Sequence, residues 1–275
     1  MTEEKLRQML REGRGQGEGE TYRPWIEVTD FSSRGVSPRV DGVKVRRTHH
    51  LLSTAERNAF LLFEWATDVV DIREQFPLDR DTTRLLAAAA GIPHPCYPGT
   101  KVPLVLTTDF LLVQLQNGHR ERLAVNVKQD EELTDPAVLE RLELQRLYFA
   151  AIGVRHLLLP ASRIPAREAE NISLIRTALV APGETGLSPS RYEELQRVMF
   201  NDLARGVRSE TLADFCTRFD RQLGLPPATG MRVARMLMWT RAITPDLSAA
   251  QLERLPMCSF VISAQPGALR SVSGG

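Results

Sequence analysis

Three residues at one end of a hairpin, and one at the start of a helix, are of the types that handle a divalent cation and a water molecule. The hairpin is TTDFLLVQLQNGHRERLAVNVKQ, residues 107–129. Asn117-Gly118 is a strong two-residue turn. It sets Gln116 against His119, and the same ladder carries Asp109 to a position opposite Asn126. Residues two apart share a face, so Lys128 stands beside that pair, while Phe110 with Val125 and Leu112 with Leu123 lie on the other face. A bulge would shift this register by one. An aspartate on one strand with Asn-Val-Lys at the end of the next is a metal-nuclease arrangement. The Asp109 carboxylate and the Val127 backbone carbonyl are hard oxygen ligands suited to Mg²⁺, which polarises a scissile phosphate and offsets its charge. Lys128 then orients the attacking water, favours its deprotonation or stabilises the developing negative charge. Glu56, on a preceding helix, is placed to be the further carboxylate ligand. Each residue also has an ordinary reading. Glu56 closes a capping box, Asp109 ends a strand, and Asn126 and Lys128 line a wet sheet face.

The elements that position these residues follow from pattern. Ser53 is a good N-cap with Glu56 three residues on, and Ala59, Phe60 and Phe63 continue the Glu56 face at helical spacing. VVDIREQF reads as a strand and DTTRLLAAAAG as a short helix ended by Gly91. IPHPCYPG is too rich in proline for regular structure. A long helix is predicted over TDPAVLERLELQRLYFAAIG, capped by Thr134 or Asp135, and VRHLLLPA reads as a strand. Helix, strand, helix, strand, strand, helix, strand describes an α/β unit on a mixed sheet. A short helix is expected over 2–12 and an extended segment at YRPWIEVTDF. GETGLSPSR reads as a linker. Helices at 189–204, 209–223 and 230–243, then a strand-like MCSFVIS, describe a small helical domain with a possible wing.

The chain has 275 residues, 43% hydrophobic and 25% charged, ordinary values for a soluble globular protein of one or two domains. No apolar run reaches the ~20 residues of a membrane helix, and the first residues lack the apolar core of a signal peptide. Cys96, Cys216 and Cys258 show no metal-type spacing, which predicts a reduced, cytoplasmic protein. Net charge is only +1, yet Arg34, Arg39, Lys44, Arg46 and Arg47 face a single acid, Asp41, between residues 34 and 50. That stretch is a candidate phosphate contact or a solvated basic loop, and so is the Arg232 and Arg235 pair on the last helix. Of 35 Lys and Arg only Lys5, Lys44, Lys101 and Lys128 are lysines, so a lysine in a core strand is conspicuous.

The stretches EGRGQGEGETYRPWI, HHLLSTAE, VVDIREQFPL, GIPHP, TTDFLL, AVNVK, LERLELQR-Y and ENI run collinearly from about residue 12 to 172. Together they resemble the TnsA family, the endonuclease subunits of heteromeric cut-and-paste transposases. The resemblance implies a restriction-endonuclease-like catalytic domain over 51–178, after an N-terminal arm and basic segment at 1–50, and a winged-helix-type domain over 179–275. It implies cleavage of the 5′ strand ends at transposon termini with Mg²⁺, one ion or two, or Mn²⁺ in its place. The implied partners are double-stranded DNA, a TnsB-type transposase and a TnsC-type AAA+ regulator, with no membrane. The family's helix glutamate, strand aspartate and lysine fall on Glu56, Asp109 and Lys128, with Val127 as the carbonyl ligand. Two positions depart: Asn126 stands where glutamine is common, and Gln145 where a second glutamate is common. Those departures keep a non-catalytic subunit bridging transposase, regulator and DNA in view, and a stand-alone nuclease of the same fold is a third reading.

Overall fold

The central sheet grows outward from the Asn117-Gly118 turn. Both residues take positive φ (+51° and +80°), the left-handed pair a tight hairpin turn requires. The turn joins β4 (Thr107–Gln116) to β5 (His119–Lys128). In this computed structural model, which describes residues 1–30, 38–179, 184, 186–206 and 209–263, the chain forms two units, Met1–Ile164 and Pro165–Gly275.

Within the first unit α1 (Glu3–Arg11) is followed by β1 (Arg39–Asp41), β2 (Thr48–His50), α2 (Thr54–Trp65), β3 (Val69–Pro77) and α3 (Arg80–Ala90). After the β4–β5 hairpin come α4 (Pro136–Ala151) and β6 (Arg155–Pro160). The sheet order is β3-β4-β5-β6; the first three strands are antiparallel, and β6 runs parallel to β5 because α4 carries the chain back. The expected register holds from Phe110↔Val125 to Gln116↔His119.

Each helix begins where its sequence supplies a cap. Ser53 accepts the Glu56 N–H at the start of α2, Asp79 accepts the Thr82 N–H before α3, and Asp135 accepts the Ala137 N–H ahead of Pro136 in α4. α3 stops at Gly91, left-handed at φ +67°. Helices cover both sheet faces. On one, Phe63 of α2 meets Phe110 edge-on at 5.3 Å. On the other, Leu111 and Ala124 pack with Leu144 and Phe149 of α4 and Ala87 of α3. Phe110 and Phe149 are fully buried, so truncating either to alanine costs about 3–5 kcal/mol.

Three local expectations change. The basic stretch holds a two-stranded ribbon, with Arg39 against His50 and Asp41 against Thr48. The expected extended segment YRPWIEVTDF ends early: Trp25 packs against Leu6 and Met9 of α1, and residues 28–30 form a 3-10 turn. The arm therefore belongs to the first unit.

The second unit holds α5 (Ala166–Arg176), α6 (Pro189–Ala204), α7 (Leu212–Leu223), α8 (Thr229–Trp239) and a two-stranded ribbon of β7 (Ile243–Thr244) and β8 (Val261–Ile262). The division falls at 164/165 rather than the expected 178/179. α5, a helix its sequence pattern did not announce, packs on α8, and Asn171 Nδ2 donates to the carbonyls of Leu247 and Ala249 at 2.8 Å each. α7 starts at Leu212 because Thr211 is its cap, and α8 ends at Trp239, two residues before Arg241 turns to φ +61°. Gly230 lets α8 approach α7: a Cβ there would lie 2.8 Å from the Cys216 carbonyl oxygen. Among the described residues no helix is long and apolar enough to cross a membrane.

Candidate active site

At the open end of the hairpin the ladder breaks. Backbone pairing between β4 and β5 runs no further than Phe110↔Val125, and the next connection uses a side chain. Asp109 Oδ2 accepts the Val127 N–H at 2.7 Å and the Lys128 ammonium at 2.9 Å, with Asn126 Nδ2 at 3.4 Å. Lys128 Nζ also donates to the Val127 carbonyl at 3.0 Å. The ammonium thus sits on two of the oxygens expected to hold a metal. The residues placed on one face by hairpin register are together, but the face is not wet: Asn126 is 1% exposed, and the Lys128 side chain 22%.

Glu56 joins from the first turn of α2, where its capping geometry and its place at the site coincide. Its Oε2 accepts the Leu52 N–H at 3.0 Å, and its Oε1 accepts the Ser53 hydroxyl at 3.1 Å. From the sheet, Gln75 Nε2 reaches Oε2 at 3.4 Å. Burial, and after it the charge of Asp109, push the Glu56 carboxyl up to about 7; the Leu52 N–H, Lys128 and Ser53 pull the other way. Two carboxylates therefore compete for one lysine. That arrangement favours protonation of Glu56, or a cation, near neutral pH.

Asn126 is occupied within the protein at both ends of its amide. Its Oδ1 accepts from His156 Nε2 at 2.7 Å and lies 3.3 Å from Thr108 Oγ1, while its Nδ2 faces Asp109. Burial first, and the Arg146 charge second, hold His156 below the usual imidazole range, so the ring is a neutral donor stacked on Phe149 at 5.4 Å. Gln75, Thr108 and His156 complete the cluster without having been picked out from sequence. Gln75 and Thr108 are neighbours of picked residues in space or sequence, but His156 comes from a strand with no chemical pattern. Gln145 is buried on α4, and its Oε1 has no hydrogen-bond partner among the described residues.

The donors fit a hard cation: two carboxylates and one carbonyl, all oxygen, with Lys128 already placing positive charge on two of them. Asp109 Oδ1 accepts no hydrogen bond among the described residues, leaving it available to a ligand. Among those residues no group of three or more His, Cys, Asp or Glu side chains is arranged for a metal, so the carbonyl and solvent have to complete any such shell.

The basic set divides. Arg34 lies outside the described residues. Arg39 and Arg46 are exposed, and no side-chain partner engages either among the described residues. Lys44 Nζ donates to the Phe63 carbonyl at 3.4 Å and to that of Ala66, closing the C-terminal end of α2. Arg47 turns inward, donating to Glu74 Oε1 at 2.7 Å and to the Ile72 carbonyl at 2.8 Å. Arg232 pairs with Glu184, donates to the Ala178 carbonyl at 3.0 Å and lies over the Tyr192 ring. Arg235 is half-buried, with Nη1 3.4 Å from Thr177 Oγ1.

Comparison with known proteins places the chain in a family. Residues 66–159 match the family described as TnsA-like endonuclease N terminal, and residues 163–247 match TnsA endonuclease C terminal. Asp109, Asn126 and Lys128 fall inside the first match, and Glu56 precedes it. The chain is 45% identical over 148 residues to the transposon Tn7 transposition protein TnsA of Escherichia coli, an alignment covering 54% of this chain and 53% of that protein. The chain thus spans about half the length of the curated relative it matches.

Proposed function

The chain belongs to the TnsA-like endonuclease family, and from that premise we propose that it is the Mg²⁺-dependent endonuclease subunit of a transposase complex, cutting the 5′ strand ends at transposon termini. The observation that carries this reading is the convergence on Asp109. A carboxylate at the end of the β4–β5 ladder gathers the Val127 N–H and the Lys128 ammonium, and its charge adds to burial in raising Glu56 to about 7. Glu56, Asp109 and the Val127 carbonyl would hold Mg²⁺, or Mn²⁺, whose bound charge would polarise the scissile phosphate and lower the pKa of a coordinated water. Lys128 holds Asp109 and Val127 in place and offers a proton donor to the water and to the phosphate oxygen that gains charge. Asn126 acts through Asp109: its amide, fixed by His156, supports the Oδ2 side of the carboxylate.

In this reading the first unit is a restriction-endonuclease-like catalytic domain. The second is a winged-helix-type domain, a reading supported by α6, α7 and α8 followed by the β7–β8 ribbon. Arg39 and Arg46, with Arg34 and Arg235, contact DNA phosphates, and a TnsB-type transposase and a TnsC-type AAA+ regulator complete the complex. The rival is a non-catalytic bridging subunit. Its support is that Lys128 already occupies Asp109 and Val127, and that the Asn126 amide oxygen is taken up by His156 and Thr108 rather than left to a metal.

Mapping of end cleavage in the reconstituted complex separates the two. Asp109→Ala and Lys128→Ala should each abolish 5′-end cutting while the protein stays folded. Normal cutting by folded Lys128→Ala would overturn the nuclease assignment. Normal transposition by both variants, with loss on deleting residues 180–275, is the signature of the bridging role.

A further inference from the structure

One residue beside the site has a backbone conformation that its position in a strand does not explain. The β3–β4 ladder pairs Glu74 with Phe110 and Phe76 with Thr108, which leaves Gln75 facing Asp109; neither takes part in the ladder. Gln75 is 2% exposed and has φ +48°, left-handed backbone that disfavours any side chain with a Cβ. A left-handed residue inside a strand, away from any turn, persists only where its surroundings hold it. Here its carbonyl accepts the Trp25 N–H at 3.2 Å, outside the sheet. Its side chain spans two elements: Nε2 reaches Glu56 Oε2 on α2 at 3.4 Å, and Oε1 accepts from Thr107 Oγ1 at 3.3 Å.

That geometry has a chemical consequence. Glu56 receives its other two bonds, from Leu52 and Ser53, at its own helix terminus, and those fix it relative to α2 alone. The Gln75 amide ties the carboxylate to the strand pair that carries Asp109. A glutamine suits the task because it is neutral: it donates to a carboxylate without competing with a cation for it, as a lysine or arginine would. Both side-chain bonds are long, which leaves the carboxylate able to turn toward a ligand while staying tethered.

We propose that Gln75 is a positioning residue of the nuclease site, holding the Glu56 carboxylate in register with Asp109. The proposal rests on the nuclease reading above. Gln75→Ala removes the amide and opens a small cavity. Gln75→Asn keeps the amide, tolerates left-handed backbone better than most residues, and is one methylene too short to reach Glu56. For Gln75→Asn the expected result is an unchanged thermal midpoint, on the order of tenfold weaker Mg²⁺ binding by calorimetry, and about 10–100-fold slower end cleavage. The slower cleavage should be partly recovered by raised Mg²⁺. Gln75→Ala should do the same with a lower midpoint. Wild-type Mg²⁺ binding and cleavage in folded Gln75→Asn would overturn the proposal, as would cleavage loss that only tracks unfolding while Mg²⁺ binding is unmoved. Asp109→Ala is the control: if it also cuts normally, the nuclease reading has failed, whereas a dead Asp109→Ala beside a normal Gln75→Asn removes Gln75 alone.

Discussion

Two buried glutamates of the first unit, Glu56 and Glu74, meet opposite fates. Glu74 is fully buried in β3, where Arg47 gives Oε1 a bond at 2.7 Å, His49 lies 2.8 Å from Oε2, and the His50 N–H adds a third donor. Burial opposes its charge, yet Arg47 and His49 overcome that and hold its carboxyl at about 2. Glu56 is nearly as buried but faces another carboxylate, and its acidity weakens until it titrates near 7. Burial raises both, so the difference between them comes from the neighbours. A carboxylate surrounded by donors is finished as structure. One left facing Asp109 is waiting for a proton or a cation.

Breaking the finished cluster should give the largest effect. Glu74→Ala strands Arg47 and leaves His49 buried without its partner, which costs about 3–5 kcal/mol. Denaturant unfolding should show that loss, with cleavage falling only as far as the folded fraction falls. Next comes Glu56→Gln, the same change of charge at the open site. It should slow cleavage about 10²–10³-fold, by comparison with the removal of a single charge-stabilising group elsewhere. Its unfolding free energy at pH 8 should stay the same or rise. If Glu56→Gln unfolds as readily as the Glu74 variant, the contrast between the two sites is wrong.

Acid and base titration of the metal-free protein should sharpen the same contrast. The Glu74 carboxyl is depressed, so its contribution is present above the unfolded value of 4.5 and disappears as pH falls through about 2. The Glu56 carboxyl is raised, so its contribution is present below 4.5 and disappears as pH rises through about 7. Each window is worth about 3 kcal/mol from the size of its shift. Chemical denaturation across pH 2–8 should show both slopes. Glu74→Gln should flatten the acid one and Glu56→Gln the neutral one, and an unchanged neutral slope in Glu56→Gln would remove the claim that Asp109 and burial frustrate it.

How much of this was legible depends on where the information is local. The hairpin register follows from Asn117-Gly118 and strict alternation, so Phe110↔Val125 and the gathering of Asp109, Asn126 and Lys128 were readable from sequence. The Ser53 cap likewise announced α2 and brought Glu56 to its first turn. The Glu74 cluster was not readable, because its parts come from β2, β3 and the segment before β2, and nothing in a run of basic residues says which guanidinium turns inward. Arg47 looks in sequence like Arg46 beside it. Gln75 was hidden for a different reason: its backbone leaves the strand conformation that its neighbours predict. His156 was hidden because β6 is an apolar strand whose register against β5 only the α4 crossover fixes.

The smallest expected effects test that same distinction within the basic segment. Arg46 is exposed with no side-chain partner among the described residues, whereas Lys44 donates to two carbonyls at the end of α2. If exposed cations serve DNA and engaged ones serve the fold, Arg46→Ala should leave the thermal midpoint alone. It should lower the slope of log affinity against log salt by about one, as loss of a single phosphate contact does. Lys44→Ala should do the reverse: it gives up favourable charge at a helix C-terminus, worth about 0.3–1 kcal/mol of stability, and leaves the salt slope unchanged. Binding of a transposon-end duplex between 50 and 200 mM salt, read beside thermal unfolding, compares the two directly. A salt slope reduced equally in both variants would mean that Lys44 leaves its carbonyls to meet phosphate, and that the division between structural and exposed cations falls elsewhere in the segment.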